Sequence, residues 1–377
     1  MNRAAARQQE KRGRLSKTTE FSQRLLAWFD HHGRKDLPWQ HKPAPYPVWV
    51  SEIMLQQTQV ASVIPYYQRF MTRFPELPDL AAAPLDEVLR CWSGLGYYAR
   101  ARNLHKAAAI VIRDYHGRLP DDLSTLQSLP GIGRSTAAAI LALSANQRHT
   151  ILDGNVKRVL CRYHCVPGWP GQTAVSKHLW TLAEQHTPQQ RVADYTQGIM
   201  DLGATLCTRR QPRCSACPLQ DGCQARRGDS IDAYPQPRPR RSVPRRQIAM
   251  LILHDRRADS SVLLEKRPPT GIWGGLWSLP EYPWEDADEQ RLHLWCREQF
   301  HSEAHINERW PAIKHSFTHF QLTIHPFIVH CEQAPPAAIM EDDRHLWYNS
   351  GQILRQALAT PARRLLERFI ASQGEIG

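Results

Sequence analysis

Leu129-Pro130-Gly131-Ile132-Gly133-Arg134-Ser135-Thr136-Ala137 is a short turn with two glycines, set between stretches of helical periodicity. Glycine carries no Cβ, so backbone N–H groups on such a turn can approach a phosphate closely, and the helix that follows offers its positive N-terminal end. A hairpin of this kind grips a phosphate backbone without reading bases. On both sides of it, from residue 20 to about 206, Ala and Leu recur at helical spacing and strict alternation is scarce. Stretches 21–32, 51–73, 85–90, 102–116, 135–143 and 156–163 represent the pattern. This half is expected to be all-α.

The polyanion suggested by the hairpin agrees with the charge balance. The chain of 377 residues holds 48 Lys plus Arg against 36 Asp plus Glu, a formal +12, which favours an acidic partner with nucleic acid first among them. Its length allows two domains with cores of their own. No run approaches the length of a membrane span, and residues 1–17 are basic and polar without the apolar stretch of a secretory signal, so a soluble, cytoplasmic protein is expected. Residues 1–19 read as a basic, disordered N-terminus.

Chemistry-bearing residues stand on either side of the hairpin. Asp153, in Ile151-Leu152-Asp153-Gly154-Asn155-Val156, follows Gly133 by twenty residues. Glu52 sits among Val50, Ile53 and Met54, where desolvation would raise its pKa and keep a proton available near neutral pH. Nine cysteines are present, and four of them, Cys207, Cys214, Cys217 and Cys223, are separated by six, two and five residues. In a chain without an export signal such a cluster reads as metal ligands rather than disulfides, and four thiolates can hold zinc or a four-iron four-sulfur cluster.

Residues 226–246 hold seven Arg and four Pro with almost nothing apolar to bury, which reads as a basic linker. Beyond it, 247–253, 261–266 and 320–329 have strand patterns and 289–299 a helical one, so the second half is expected to be α+β.

A helix–hairpin–helix, a downstream Asp and four clustered cysteines together resemble the endonuclease III superfamily of base-excision DNA glycosylases, over residues 20–223. Ser51-Glu52-Ile53-Met54-Leu55-Gln56-Gln57-Thr58-Gln59-Val60 resembles the adenine-specific MutY branch of it. The resemblance implies a helical glycosylase domain at 20–225 with one 4Fe-4S cluster on the four cysteines, preferred to zinc, and a Nudix-like domain at 247–377. The implied cluster would pin the loop of Arg209, Arg210 and Arg213, whose guanidinium groups suit phosphates.

Carried over residue by residue, Glu52 is implied to be the general acid on adenine and Asp153 the carboxylate that steadies the sugar's oxocarbenium charge, with Asn155 as polar support. Leu37 and Trp39 resemble walls of the adenine pocket. Gln56 and Gln57 fall at the DNA, Gln57 as the side chain inserted where the base has left, and Tyr97 in Gly94-Leu95-Gly96-Tyr97-Tyr98 as an aromatic wedge. Gly131, Gly133 and Ser135 belong to the gripping hairpin. Bifunctional lyases of the superfamily carry Lys where this chain has Ser135, so hydrolysis by water without a Schiff base is implied.

In the second half, Gly271-Ile272-Trp273-Gly274-Gly275-Leu276-Trp277 and His315-Ser316-Phe317-Thr318-His319-Phe320 resemble the Nudix-like domain of that branch, with Phe317, Thr318 and His319 as its 8-oxoguanine loop. The branch usually has Ser where Thr318 stands. A Nudix metal box would begin with Arg-Glu, and counting from Gly275 and Glu281 that pair falls on Glu289-Gln290, so nucleotide pyrophosphate hydrolysis is not expected. The expected partner is double-stranded DNA with adenine opposite 8-oxoguanine or guanine, bound by a monomer in base excision repair. Two rivals are a bifunctional glycosylase/lyase, opposed by Ser135, and a silent iron–sulfur damage binder, opposed by the pairing of Glu52 with Asp153.

Overall fold

The computed structural model describes residues 20–41, 43–239, 243–255, 261–300, 303–317, 319–331, 344–349 and 356–374. The N-terminus at 1–19 and Thr318 therefore lie outside the described residues. The chain divides into two compact units, Met1–Ala82 with Asn103–Arg240, and Ala83–Arg102 with Arg241–Gly377.

The first unit is helical. Helix α1 covers residues 20–32. It is followed by α2 (Pro45–Leu55), α3 (Val60–Arg73) and α4 (Leu77–Ala82), and then, past α5 (Leu85–Trp92) and the start of α6 (Ala99–Asp114), by α7 (Leu123–Ser128), α8 (Arg134–Ala145), α9 (Gly154–His164), α10 (Thr173–His186), α11 (Val192–Thr205) and α12 (Gln224–Arg227). The stretch 51–73, read from its pattern as one helix, is two: α2 ends at Leu55 and α3 begins at Val60. Gln57 takes a left-handed backbone conformation (φ +59°) in the break, which no helix of L-residues accommodates.

Helix α8 is Ala-rich, which lets neighbours approach closely, and it packs on both α2 and α11, while α11 packs on α9. The core between them is apolar, with Ala138, Ile151, Val156, Leu160, Ile199 and Leu202 all buried. Two ends of this core matter for function. Asp153 caps α9, its carboxylate accepting the Val156 N–H at 2.8 Å, and that cap satisfies a donor the helix itself leaves orphaned. Gly131 (φ +80°) turns the chain into α8, and a Cβ there would lie 2.8 Å from the Asn103 Cβ.

The described part of the basic 226–246 stretch, as far as residue 239, is laid on the first unit. Tyr234 packs against its core, its carbonyl accepts Arg162 Nε at 3.0 Å, and the Arg238 guanidinium covers the Trp169 ring.

The second unit is built on a mixed sheet of β1 (Arg245–Asp255), β2 (Ser261–Lys266), β3 (Trp277–Ser278), β4 (Glu281–Pro283), β5 (Ala304–Arg309), β6 (Ile313–Ser316), β7 (Gln321–Cys331) and β8 (His345–Asn349). Its order is β3-β2-β1-β7-β5, with β4 on β1, β6 on β7 and β8 on β2. The central pair β1 and β7 runs parallel from Arg245↔Gln321 to Asp255↔Cys331, and the other pairings are antiparallel. Strands covered on both faces read as continuous apolar runs, as Ile248-Ala249-Met250-Leu251-Ile252-Leu253 does. Helix α13 (Glu289–Phe300) buries Leu292, Cys296 and Phe300 against β1 and β7, and α14 (Thr360–Gly374) buries Leu365, Leu366 and Phe369.

Residues 83–102 were legible as part of the helical half, yet they group with this second unit. Asp86 pairs with Lys266 at 2.7 Å, Ser93 Oγ accepts from Arg363 at 2.9 Å, and Arg102 donates to the Gly274 carbonyl at 2.6 Å.

Candidate functional site

A cleft of about 860 Å³ opens in the first unit, and Leu37, Trp39, Glu52, Gln56, Gln57, Ser135, Asp153 and Asn155 all line it. They arrive from four places: the short 3-10 turn Pro38–Gln40, the C-terminal half of α2 with the break after it, the N-terminus of α8, and the N-terminus of α9. Trp39 is buried, edge-on to Tyr67. Gln57 is exposed and held in its left-handed turn, so its side chain is presented by the backbone rather than by packing.

Glu52 and Asp153 face different surroundings. Burial, reinforced by the charge of Asp153, pushes Glu52 from an ordinary 4.5 up to about 8. Burial raises Asp153 as well, but the backbone N–H groups of Val156 and Asn155 and the Arg158 guanidinium pull it back down.

Ser135 does not point idly into the cleft. Its Oγ accepts the Leu152 N–H at 3.0 Å, one residue before Asp153. Asn155 Oδ1 accepts Arg158 Nη2 at 2.8 Å, and the same guanidinium donates to the carbonyls of Gly203 (2.6 Å) and Cys207 (2.7 Å). Gly203 is where α11 meets this corner: a Cβ there would stand 2.5 Å from the Asn155 Cβ.

Among the cleft residues that escaped the reading of the sequence, two share one anchor. Arg34 and Gln197 line the cleft, and both are anchored on Asp201, which is fully buried. The available signal was Asp201 itself, a charge in the apolar stretch Ile199-Met200-Asp201-Leu202, which demands a buried partner.

Cys207, Cys214, Cys217 and Cys223 line one small apolar cavity with Val159, Leu202, Leu206 and Leu219. Among the described residues, no three His, Cys, Asp or Glu side chains converge closely enough for a single metal ion. Four thiols spread around a cavity suit a multi-iron cluster rather than one tetrahedral zinc. Arg162, 2% exposed, donates to Cys207 Sγ at 3.5 Å and to the Thr208 carbonyl at 2.7 Å, placing a fixed positive charge against the thiolates. Arg209 and Arg210 are exposed on this loop, Arg209 lining the cleft, whereas Arg213 donates to the Thr205 carbonyl at 2.9 Å.

The remaining sequence-predicted residues lie outside the cleft. Gly131 and Gly133 form the turn into α8, and a Cβ at Gly133 would meet nothing within 4 Å, so its backbone faces open space. Tyr97 is 48% exposed with φ +50°, its ring beneath the Arg100 guanidinium. Phe317 stacks on Phe320 with centroids 4.5 Å apart and touches His315 and Trp273, and His319 is exposed.

Comparison with known proteins follows this division. Residues 50–185 match the HhH-GPD superfamily of base excision DNA repair proteins, 207–223 the iron–sulfur binding domain of endonuclease III, and 249–368 the NUDIX domain. An adenine DNA glycosylase of Buchnera aphidicola (subsp. Acyrthosiphon pisum, strain APS) is 38% identical over 351 residues, covering 93% of this chain and 97% of that protein. The adenine DNA glycosylase of Mus musculus is 34% identical, covering 94% and 79%. Among solved structures, a thermostable thymine-DNA glycosylase matches with TM-score 0.50 and 29% identity over 56% of this chain and 98% of its own. The cysteine loop accordingly carries an iron–sulfur cluster, of the 4Fe-4S type in this family. Identity at this level over nearly the whole of both chains places the protein in the MutY-type adenine DNA glycosylase family of base excision repair.

Proposed function

We propose that this chain excises adenine paired with 8-oxoguanine, and with guanine, from double-stranded DNA, by hydrolysis alone and as a monomer. The observation that carries the reading is one cleft lined by Glu52, which burial keeps protonated, by Asp153, whose hydrogen bonds favour its charge, and by no lysine among its described residues. Adenine is a poor leaving anion. Glu52 gives its proton to nitrogen 7 of a flipped adenine, the C1′–N9 bond breaks with its electron pair going to the base, and Asp153 steadies the cationic sugar until water adds to C1′. Two carboxylates divide labour similarly in glycosidases. With Ser135 where a lyase has its amine, no covalent imine to the sugar forms.

Leu37 and Trp39 wall the adenine site, Arg34 and Gln197 supply polar groups, and Gln57 and Tyr97 hold the opened duplex. The Gly131–Gly133 turn and Arg209 take phosphates. Residues 20–225 act as the catalytic domain and 247–377 as the recognition domain, with Phe317, Thr318 and His319 reading the lesion. The working compartment is the cytoplasm, at the nucleoid if the protein is bacterial. Among the described residues no helix is long and apolar enough to cross a membrane.

The test uses duplexes with adenine opposite 8-oxoguanine, guanine or thymine, treated with alkali to reveal abasic sites, and with borohydride in parallel. Strand breaks that need alkali, in the first two duplexes, support the reading. Equal cleavage opposite thymine refutes the lesion specificity, and a borohydride-trapped adduct refutes the monofunctional mechanism.

A further inference from the structure

Asp201 is completely buried in α11 and stands behind the cleft rather than on its surface. Its Oδ1 accepts Arg34 Nε at 2.9 Å, Arg34 Nη2 at 2.6 Å and Gln197 Nε2 at 2.7 Å. Its Oδ2 accepts the Arg34 backbone N–H at 2.8 Å. An ionised carboxylate can only accept hydrogen bonds, whereas a glutamine amide can present either end. Asp201 removes that choice. One N–H of the Gln197 amide is committed to it, which fixes the way the amide is turned, NH2 toward Asp201 and carbonyl oxygen away from it, in a side chain that lines the cleft. Arg34 also lines the cleft, and Nη1 is the guanidinium nitrogen that Asp201 does not engage. One oxygen thus fixes how both the Gln197 amide and the Arg34 guanidinium are turned.

The geometry points to Asp201 as a positioning residue that fixes the polarity with which the cleft reads a purine edge, selecting a 6-aminopurine over a 6-oxopurine. The inference rests on adenine entering this cleft. On its N1 edge a 6-aminopurine offers an amino donor beside a ring-nitrogen acceptor, the complement of the Gln197 oxygen and the Arg34 N–H. A 6-oxopurine such as hypoxanthine offers the reverse at both positions, setting oxygen against oxygen and N–H against N–H. Buried polar groups left unpaired discriminate strongly between such isosteres.

Asp201→Asn is the informative change because it preserves volume and removes the constraint. If the new amide nitrogen takes the Oδ1 place, it confronts Arg34 Nε and Nη2, and Gln197 must turn its oxygen inward and its NH2 toward the cleft. If it takes the Oδ2 place, it confronts the Arg34 backbone N–H. A purely structural role for the ion pair, tying the loop before Leu37 to α11, would lower excision of every base in proportion.

Single-turnover release of adenine and of hypoxanthine, each opposite 8-oxoguanine, is measured with the full-length, cluster-bearing protein. Asp201→Asn is expected to lower the adenine-to-hypoxanthine rate ratio at least tenfold, with hypoxanthine release retained or increased. Gln197→Leu, which leaves the Arg34–Asp201 pair intact, serves if the first variant does not fold, and should lower the ratio similarly. A ratio within threefold of wild type in a folded variant overturns the inference. A wild type that releases no adenine from this duplex fails the underlying reading instead, and is recognised by that result alone.

Discussion

Glu52→Gln should make the protein more stable at neutral pH while removing its activity. Glu52 has a pKa of about 8 in the folded protein against an ordinary 4.5. A carboxyl whose folded value is raised binds a proton in the native state that the unfolded chain releases. Its favourable contribution is complete below the unfolded value and is lost progressively as pH rises through the folded one. At pH 7 the native state therefore carries a penalty of about 3 kcal/mol relative to a group that never ionises, at about 1.4 kcal/mol per pH unit. Glutamine keeps the shape and the neutrality, but its amide must be desolvated, which returns about 1 kcal/mol. A net gain of about 2 kcal/mol corresponds to roughly 4–8 °C in Tm for a unit of this size. The assay is thermal unfolding followed by circular dichroism at pH 5, 7 and 8, with both proteins scanned at one rate because a cluster protein need not unfold reversibly. The gain should nearly vanish at pH 5 and be largest at pH 8. A variant less stable than wild type at pH 8, or equally stabilised at every pH, would refute the claim that burial holds a proton on Glu52.

The same titrations set the activity profile. The value of kcat/KM should fall above about pH 8 as Glu52 loses its proton. It should fall on the acid side as Asp153 gains one, at a higher pH than for an ordinary carboxylate because burial raises it; a profile that stays flat through pH 8 to 9 would contradict the Glu52 assignment. Gly203→Ala places a Cβ 2.5 Å from that of Asn155, with backbone close behind, so the Asp153 corner must shift. Adenine release in single turnover should drop at least tenfold while DNA affinity changes little. The purified protein should be yellow-brown from thiolate-to-iron charge transfer, and a colourless preparation with stoichiometric zinc and full activity would reassign the metal. Thr318→Ala should lose part of about 1–3 kcal/mol of preference for 8-oxoguanine over guanine, the scale of one base-edge contact, and Thr318→Ser should keep it; equal selectivity in competition assays would remove the loop from recognition.

Local chemistry was legible in this sequence and distant pairing was not. The glycine hairpin and the four cysteines lie in short stretches whose spacing carries the reading, Glu52 was singled out by the resemblance of its stretch to the adenine-specific branch, and Glu52 and Asp153 line one cleft. The break between α2 and α3 was hidden because Gln56-Gln57-Thr58-Gln59 contains neither Gly nor Pro. Gln57 adopts φ +59° against its preference, the kind of backbone that surrounding structure imposes and that clusters at functional sites. Arg34 and Asp201 are 167 residues apart, and periodicity cannot pair residues over that distance. Residues 83–102 have ordinary helical spacing, yet they group with the second unit and make side-chain contacts to Lys266, Gly274 and Arg363 that leave no trace in local pattern. Strand β1 and helix α13 were readable for the opposite reason, since β1 carries a continuous apolar run and α13 buries Leu292, Cys296 and Phe300 at four-residue spacing.

The most direct test of the account is single-turnover adenine release from a duplex with adenine opposite 8-oxoguanine by wild type, Glu52→Gln and Asp153→Asn, with DNA affinity measured on the same proteins. Glu52 and Asp153 acting as proton donor and charge partner predict a loss of at least a thousandfold in release for each variant, with binding to the mispair largely retained. Release within tenfold of wild type in either variant would contradict the division of labour assigned to the two carboxylates.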